Sequence, residues 1–253
     1  MISAEELRSA VEKRYAEIAR SGSACCGDQT PVQIGYTREE VEALPEPALM
    51  GLGCGNPVRW AALREGETVV DLGSGGGLDV FLAARAVGPT GRVIGIDMTP
   101  EMLARARANA ERLGLANVEF RQGLIEALPV ADASVDVILS NCVINLAPDK
   151  DAVFREAWRA LRPGGRLVVS DMVARAELPP EVREDPTLWA SCLGGALPEE
   201  EYLRALRQAG LTAIEVLARE GVERGPVYSI TVRASRPETP GAPDGLDRPA
   251  PLP

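Results

Sequence analysis

Short apolar runs alternate with amphipathic segments through the middle of the chain, from residue 68 to residue 172. Each run is bounded by Gly, Asp or Asn, as is typical of strands that are buried on both faces. The predicted strands are 68–73, 91–98, 117–123, 135–141 and 166–172. The segments between them have apolar residues at helical spacing, and the predicted helices are 78–87, 100–114 and 150–165. This alternation predicts a parallel sheet with helices on both faces.

The pattern changes on both sides of this central region. Residues 3–19 have apolar positions at helical spacing, and Thr37 with Glu40 forms a capping-box pattern before a short helix at 38–44. Near the end, a predicted helix at 199–210 precedes two strands at 214–221 and 227–235, and the second can lie antiparallel in the sheet. We therefore predict an α/β fold with a seven-stranded, mostly parallel sheet. The predicted parts are an N-terminal helical cap at 1–64, a main domain at 65–236 with an insertion for substrate around 174–200, and a disordered Pro-rich tail at 237–253.

Charge and composition exclude several classes of function. The 253 residues include 27 Lys and Arg and 37 Asp and Glu, so the formal net charge is −10, which argues against nucleic acid or an anionic membrane as a partner. Five cysteines and no histidine exclude a Ser-His-Asp hydrolase, a His-ligated zinc enzyme and a His general base. We find no signal peptide and no apolar stretch of roughly 20 residues, so we expect a cytoplasmic protein with free thiols.

A glycine-rich segment, DLGSGGG at 71–77, follows the first predicted strand and opens the first helix. Its glycines allow a tight turn that brings the backbone close to a ligand at the helix N-terminus. The second strand ends in Asp97, where a carboxylate can accept hydrogen bonds from both ribose hydroxyls of an adenine nucleoside. After the third strand, residues 124–126 are suited to flank the adenine ring.

Two other interpretations of this loop stay open. A lone glycine-rich turn often serves only as a strand-to-helix connection, although the acid at the end of the second strand favours a nucleoside site. An NAD site is the main functional competitor, but Leu78 stands where the dinucleotide fingerprint has glycine.

The order of the motifs resembles the S-adenosylmethionine-dependent methyltransferase superfamily. DLGSGGG is similar to its first motif, GRVIGIDMTPEMLARAR to its second and LRPGGRLVVSDM to its later strand region. The resemblance covers about residues 68–173, and it implies a Rossmann-like methyltransferase fold with S-adenosylmethionine as methyl donor. The positions that we assign to the cofactor are Asp71, Gly73, Ser74, Gly75, Asp97, Met98, Leu124, Ile125, Glu126 and Asn141.

Three of the five cysteines lie in predicted loops around this expected site. Cys142 follows the fourth strand, at the carboxyl edge where open α/β sheets bind ligands. Cys54 precedes the main domain, and Cys192 lies in the insertion. Thiolates prefer soft centres, so we favour convergence of the three on one soft atom. The alternatives are three buried small hydrophobes, or structural zinc, which usually shows a C-x-x-C pair that this sequence lacks.

The three cysteine contexts resemble the arsenite S-adenosylmethionine methyltransferase family. GCGNP is similar to its first cysteine motif, SNCVINL to its second and SCLGGAL to its third. The resemblance implies that Cys54, Cys142 and Cys192 bind trivalent arsenic as substrate. It also implies a role for an additional N-terminal cysteine, in the region that Cys25 and Cys26 occupy. The implied partners are arsenite or its thiol adducts and a small thiol reductant of the glutathione or thioredoxin type.

Trivalent arsenic held by thiolates keeps a lone pair, which can attack the methyl carbon of the sulfonium without loss of a proton. We therefore expect positioning to dominate catalysis, and a lowered thiol pKa to favour binding of the metalloid. Three acids are possible bases in a different methyltransferase: Asp149, Asp151 and Asp171. We interpret Asp149 or Asp151 as the start of a helix and Asp171 as a structural acid at the end of a strand.

Two alternative functions follow from the same residues. One is C- or O-methylation of a small apolar molecule of the quinone or sterol type, which would tolerate loss of the cysteines. The other is an arsenic-sequestering binder with a degenerate cofactor site, and the intact set of Gly73, Gly75 and Asp97 argues against it.

Overall fold

Seven strands form one sheet in the computed structural model, which describes residues 2–22, 30–221 and 225–239. The strands are β1 Thr68–Leu72, β2 Arg92–Asp97, β3 Val118–Gln122, β4 Val135–Asn141, β5 Leu161–Ala174, β6 Thr212–Glu220 and β7 Val227–Ser235. Their order across the sheet is β3-β2-β1-β4-β5-β7-β6. β7 pairs antiparallel with β5 and with β6, and the other neighbouring pairs are parallel. The predicted seven-stranded, mostly parallel α/β sheet is confirmed.

Helices cover both faces of this sheet. They are α1 Ala4–Ser21, α2 Arg38–Glu42, α3 Pro57–Trp60, α4 Leu78–Val87, α5 Pro100–Leu113, α6 Lys150–Ala160, α7 Pro180–Arg183, α8 Pro186–Ala190 and α9 Glu199–Gln208. Short 3-10 helices lie at Pro31–Ile34, Glu46–Ala48 and Ile144–Leu146. Within the described ranges, no helix is long and apolar enough to cross a membrane.

Neighbouring residues of a strand point to opposite faces of the sheet, so each strand contributes to two cores. In β1, Val69 packs in the core that contains Phe81 of α4, and Val70 packs in the core that contains α6 and α9. In the second core, the rings of Phe154 and Tyr202 meet edge to face with centroids 5.3 Å apart. Burial on both faces explains why the strands have nearly continuous apolar sequences.

The strand order reverses between β1 and β4, and this reversal positions the site. The chain winds one way through β1, β2 and β3 and the other way through β4 and β5. In open α/β sheets, ligands bind in the crevice at such a switch point, outside the carboxyl ends of the strands. The ends of β1 and β4 meet in register here, because Leu72 pairs with Ser140.

The predicted boundary between α6 and β5 is wrong. The helix expected at 150–165 ends at Ala160, and β5 begins at Leu161. Pro163 disfavours helical backbone at the residue before it. Leu161 is already extended, with φ −62° and ψ 141°, and it pairs with Val135 of β4.

The N-terminal helix predicted at 3–19 is confirmed as α1. Ser3 caps it, since the Glu6 N–H donates to the Ser3 hydroxyl at 3.2 Å and the Ser3 N–H donates to the Glu6 carboxylate at 2.8 Å. α1 packs against α5 and α8. The division of the chain into a cap, a main domain and a tail stays a prediction, and residues 240–253 of the tail lie outside the described residues.

Candidate active site

The glycine-rich loop between β1 and α4 has a backbone that requires glycine. Gly73, Gly75 and Gly77 have φ of 65°, 50° and 96°, in the left-handed region that other residues rarely adopt. A Cβ at Gly73 would also collide with the side chain of Val143. A Cβ at Gly75 would meet nothing within 4 Å, so this part of the loop faces open space where a ligand fits.

Asp97, the last residue of β2, ties this loop to the neighbouring strand. Its carboxylate accepts hydrogen bonds from the backbone N–H of Gly75 at 2.9 Å and of Thr99 at 2.8 Å. Burial raises the pKa of Asp97, and these backbone donors oppose the rise. Nearby, the hydroxyl oxygen of Ser74 is buried and has no hydrogen-bond partner within the described part of the chain. A free polar atom beside an accepting carboxylate suits the hydroxyl-rich ribose of a nucleoside.

One cavity at the switch point contains every residue that the sequence assigns to the cofactor. Its empty space, which extends to the open mouth, is about 1150 Å³. The predicted residues that line it are Asp71, Gly73, Ser74, Gly75, Asp97, Met98, Leu124, Ile125, Glu126 and Asn141. Cys142 and Cys192 line the same cavity, so the thiol residues and the expected cofactor residues share one space.

Arg8 of α1 reaches the wall of this cavity, which the sequence did not indicate. Its guanidinium donates to the carboxylate of Glu126 at 3.0 Å, and both residues line the cavity. Asp71 is 2% exposed, and burial, together with the negative charges of Asp79 and Asp97, raises its pKa well above the usual range. The cavity therefore carries acidic groups whose charge is only partly balanced.

Asn141 connects the first cysteine loop to the edge of the sheet. Its side-chain oxygen accepts from the N–H of Cys54 at 3.0 Å, and its amide donates to the carbonyl of Gly55 and to the hydroxyl of Tyr36, both at 2.8 Å. Tyr36 in turn donates to Asp79 at 2.6 Å. Burial raises the pKa of Asp79 to about 6, although the hydrogen bonds from Tyr36 and Asn141 oppose this rise. The sequence missed Tyr36 and Asp79, because no local pattern marks them.

The three loop cysteines come together, and we call them the thiol cluster (Cys54, Cys142 and Cys192). All three are free thiols. The sulfurs of Cys54 and Cys142 and a carboxylate oxygen of Asp171 all lie within 4.8 Å of one another. The Cys192 thiol donates to the carbonyl of Cys142 at 3.3 Å, and the Cys142 thiol interacts with both other thiols. The convergence predicted from the sequence is therefore present in the structure.

Two members of the thiol cluster have strained backbone. Cys142 and Cys192 have φ of 58° and 63°, and such left-handed conformations in residues other than glycine cost about 1–3 kcal/mol each. Strain of this kind collects at functional sites, where surrounding structure holds it in place. Sequence patterns give no indication of it.

The expectation of a lowered thiol pKa is wrong. Burial raises the pKa of Cys54, and the negative charge of Asp171 adds to the effect. For Cys142, the interaction with Cys192 lowers the pKa, but the interaction with Cys54, burial and Asp171 outweigh it, and the pKa rises well above the usual range. The thiols lie in a buried, acidic environment, which disfavours the thiolate.

Lys150 and Trp189 hold the second and third cysteine loops together. The Lys150 ammonium donates to the carbonyls of Asn145 at 3.2 Å and Ala147 at 3.0 Å, and it lies 4.8 Å from the centre of the Trp189 ring. The Trp189 indole donates to the carbonyl of Leu146 at 3.0 Å. Burial lowers the pKa of Lys150 to about 8. The sequence singled out neither side chain.

The sequence predicted that Asp171 lies at the end of its strand, but β5 continues to Ala174. Its side chain is fully buried and accepts from the N–H of Asn145 at 3.1 Å and of Met172 at 2.9 Å. The Tyr202 hydroxyl donates to it at 3.4 Å. Burial raises the pKa of Asp171 to about 7, against the opposing effects of these donors and of the Lys150 charge.

Of the other candidate residues, the structure describes Asp149 but not Cys25 and Cys26. Asp149 starts α6 as predicted, since its carboxylate accepts from the N–H of Ala152 at 2.8 Å. Cys25 and Cys26 lie outside the described residues, so their expected role stays a prediction.

Comparison with known proteins places this chain in a family. Residues 63–210 match the family described as "Methyltransferase domain". In sequence, the chain is 47% identical over 234 residues to an arsenite methyltransferase of Halobacterium salinarum, a match that covers 85% of this chain and 60% of that protein. A crystal structure of an arsenic (III) S-adenosylmethionine methyltransferase from Chlamydomonas reinhardtii is 37% identical, with a TM-score of 0.64, and the match covers 83% of this chain and 73% of that one. The chain belongs to the arsenite methyltransferase family.

The chain is also similar to a human member of the arsenite methyltransferase family. The human arsenite methyltransferase is 39% identical over 209 residues, which is 79% of this chain and 55% of that protein. The chain thus spans about 55–60% of the length of these curated relatives. The predicted family is confirmed.

Proposed function

We propose that this protein transfers a methyl group from S-adenosylmethionine to trivalent arsenic that is bound by the thiol cluster. The observation that carries the proposal is the shared cavity, in which Cys142 and Cys192 face the same space as the glycine-rich loop and Asp97. The reaction would convert arsenite or its thiol adducts into methylated arsenicals, as expected of arsenic detoxification.

The residues of the cavity fit the methyl donor. Asp97 and the free hydroxyl of Ser74 would hold the ribose, and the open space at Gly75 leaves room for the rest of the nucleoside. Residues 124–126 would flank the adenine, as the sequence predicts. When bound, S-adenosylmethionine supplies an electrophilic methyl carbon on a sulfonium.

The thiol cluster would bind arsenic and orient it. Each neutral thiol can give its proton to a hydroxide of arsenous acid, which leaves as water, so the raised thiol pKa values do not oppose this exchange. Arsenic held by three sulfurs keeps its lone pair and needs no base. Holding a nucleophile in a fixed position can contribute about 7–11 kcal/mol to catalysis.

Residues 1–64 would act as a cap over this site. Leu7 and Val11 of α1 are buried in the same apolar cluster as Cys142, Cys192 and Trp189. This packing buries Cys142 and Cys192, whereas Cys54 is only partly buried. A small thiol reductant of the glutathione or thioredoxin type would keep the cluster reduced and supply arsenic as an adduct, so a reducing compartment is part of the proposal.

The test is product analysis after incubation of the reduced protein with arsenite, glutathione and S-adenosylmethionine. We expect methylated arsenic from the wild type and little from Cys142→Ser or Cys192→Ser. Ser191→Ala is the matched control, because Ser191 neighbours Cys192 but donates only to the carbonyl of Leu188. Full activity of both cysteine variants on arsenite would contradict the proposal.

Two further results would favour the alternatives. Methylation of a quinone or sterol that survives the cysteine substitutions would indicate the C- or O-methyltransferase. Arsenite binding without any methylated product, and without calorimetric binding of S-adenosylmethionine, would indicate an arsenic-sequestering protein.

A further inference from the structure

Among the described residues, Asp171 is the one ligating group at the thiol cluster that arsenic chemistry does not require. Its carboxylate oxygen lies within 4.8 Å of the sulfurs of both Cys54 and Cys142, and the side chain is fully buried. Trivalent arsenic takes three thiol ligands and directs its lone pair away from them. A carboxylate beside the sulfurs therefore adds no ligand that arsenic requires.

A divalent thiophilic cation would use Asp171 together with Cys54 and Cys142, and Cys192, whose thiol donates to the Cys142 carbonyl, would supply the fourth ligand. Zn²⁺ in proteins is usually tetrahedral, with thiolate and carboxylate among its common ligands. Zinc–sulfur bonds of about 2.3 Å place the sulfurs of a tetrahedral site about 3.8 Å apart. The ligating atoms of Cys54, Cys142 and Asp171 lie within 4.8 Å of each other, so small side-chain movements would close the site.

The charges around the site also suit a cation. Three thiolates and Asp171 carry four negative charges, and a divalent cation with the Lys150 ammonium supplies three positive ones. Lys150 is buried beside Asp171, and its ammonium donates to two backbone carbonyls. Each bound thiol would release its proton to solvent, and the cation would lose its water ligands.

We propose that the thiol cluster and Asp171 together bind a divalent thiophilic cation of the Zn²⁺ and Cd²⁺ class, in competition with trivalent arsenic. Such binding would be exchangeable, because Cys142 and Cys192 line a cavity that has an open mouth. It would make these cations inhibitors that act on the substrate side of the site. The proposal does not depend on methylation, since it concerns only the ligands.

The test uses Cd²⁺ as the probe, with sulfur-to-cadmium absorption and calorimetry as readouts. Cys25 and Cys26 are changed to serine in every protein, so that the signal reports the three described thiols. We expect one Cd²⁺ per chain, displaced by arsenite. Asp171→Asn should raise the Kd for Cd²⁺ by a factor about 10 to 100 times larger than the factor by which it raises the Kd for arsenite. Asp151→Asn is the matched control, since Asp151 is an exposed acid of α6.

Two results would overturn the proposal: Cd²⁺ that binds without displacement by arsenite, or an Asp171→Asn variant that weakens both ligands equally. If Asp171→Asn does not fold, as judged by circular dichroism, X-ray absorption of the Cd²⁺-loaded parent protein decides. Sulfur together with oxygen in the first coordination sphere supports the site. Oxygen ligands alone, or sulfur ligands alone, contradict it.

Discussion

Gly195 offers a direct test of how closely the second and third cysteine loops must approach. It lies three residues after Cys192, against the backbone that follows Cys142. A Cβ at Gly195 would overlap the carbonyl oxygen of Asn145 and would lie 3.0 Å from its carbonyl carbon. Carbon atoms pack at about 3.5–4.0 Å, and the overlap with the oxygen is larger than the shortfall at the carbon. The two loops must therefore separate by roughly 1 Å or more in Gly195→Ala.

This separation has two measurable consequences. The carbonyl of Asn145 is fixed backbone that also accepts a hydrogen bond from Lys150, so it cannot turn aside freely. Overpacking of this kind lowers the free energy of unfolding by about 1–3 kcal/mol. A displacement of about 1 Å in a reacting group can lower a rate about 100-fold, so we expect arsenite methylation by Gly195→Ala to fall by up to that factor.

The assay measures initial rates of methylated arsenic, thermal unfolding, and the affinity for S-adenosylhomocysteine. That affinity should not change, because the glycine-rich loop and Asp97 do not contact Gly195. Gly225→Ala is the matched control, since a Cβ there would meet nothing within 4 Å. A wild-type rate and an unchanged melting temperature for Gly195→Ala would refute the close approach of the two loops.

Three further substitutions or conditions test other parts of the site. Asp97→Ala removes the carboxylate that accepts from the N–H groups of Gly75 and Thr99 and that we propose to hold the ribose. A hydrogen bond to a charged group contributes about 1.5–3 kcal/mol, so we expect calorimetry to show that the Kd for S-adenosylhomocysteine rises at least about tenfold. An unchanged Kd would contradict this role. Asn141→Ala frees the Cys54 loop, so X-ray absorption should show arsenic with two sulfur ligands, and three would show that the loop holds its position without Asn141. Only the thiolate reacts with an alkylating reagent, and the pKa of Cys54 and Cys142 is raised. The rate of alkylation of both thiols, followed by peptide mapping, should therefore be low at neutral pH and still increase above pH 9. A rate that reaches a plateau below pH 9 would contradict the raised pKa.

The sequence predicted the sheet well because burial on both faces leaves a simple signal. Runs such as 135–141 are apolar nearly throughout, and the structure has β4 at Val135–Asn141. Element ends were harder where two local preferences compete. The apolar spacing of α6 continues past Ala160, but Pro163 and the pairing of Leu161 with β4 end the helix earlier.

The site was predictable where function needs a special residue in a local motif. The glycine-rich loop, Asp97 and the three cysteines each stand in a distinctive short context. Glycines flank Cys54 for a reason that the structure supplies, because a Cβ at Gly55 would lie 2.6 Å from the Ser170 hydroxyl. Tyr36 and Lys150 could not be found in this way, because their partners lie far away in sequence or are backbone carbonyls.

The thiol pKa was mispredicted because it depends on the whole environment, and this outcome changes the chemical argument. Burial and the negative charge of Asp171 raise the pKa of Cys54 and Cys142, so these thiols are neutral before any ligand binds. Neutral thiols exchange readily with the hydroxides of neutral arsenous acid, because the proton leaves with the hydroxide as water. A divalent cation must instead displace protons into solvent, so its binding weakens as the pH falls. At lower pH, arsenite should therefore displace Cd²⁺ more readily. Cd²⁺ must release the thiol protons to solvent in order to bind, whereas arsenite binding transfers them to the hydroxide that leaves as water.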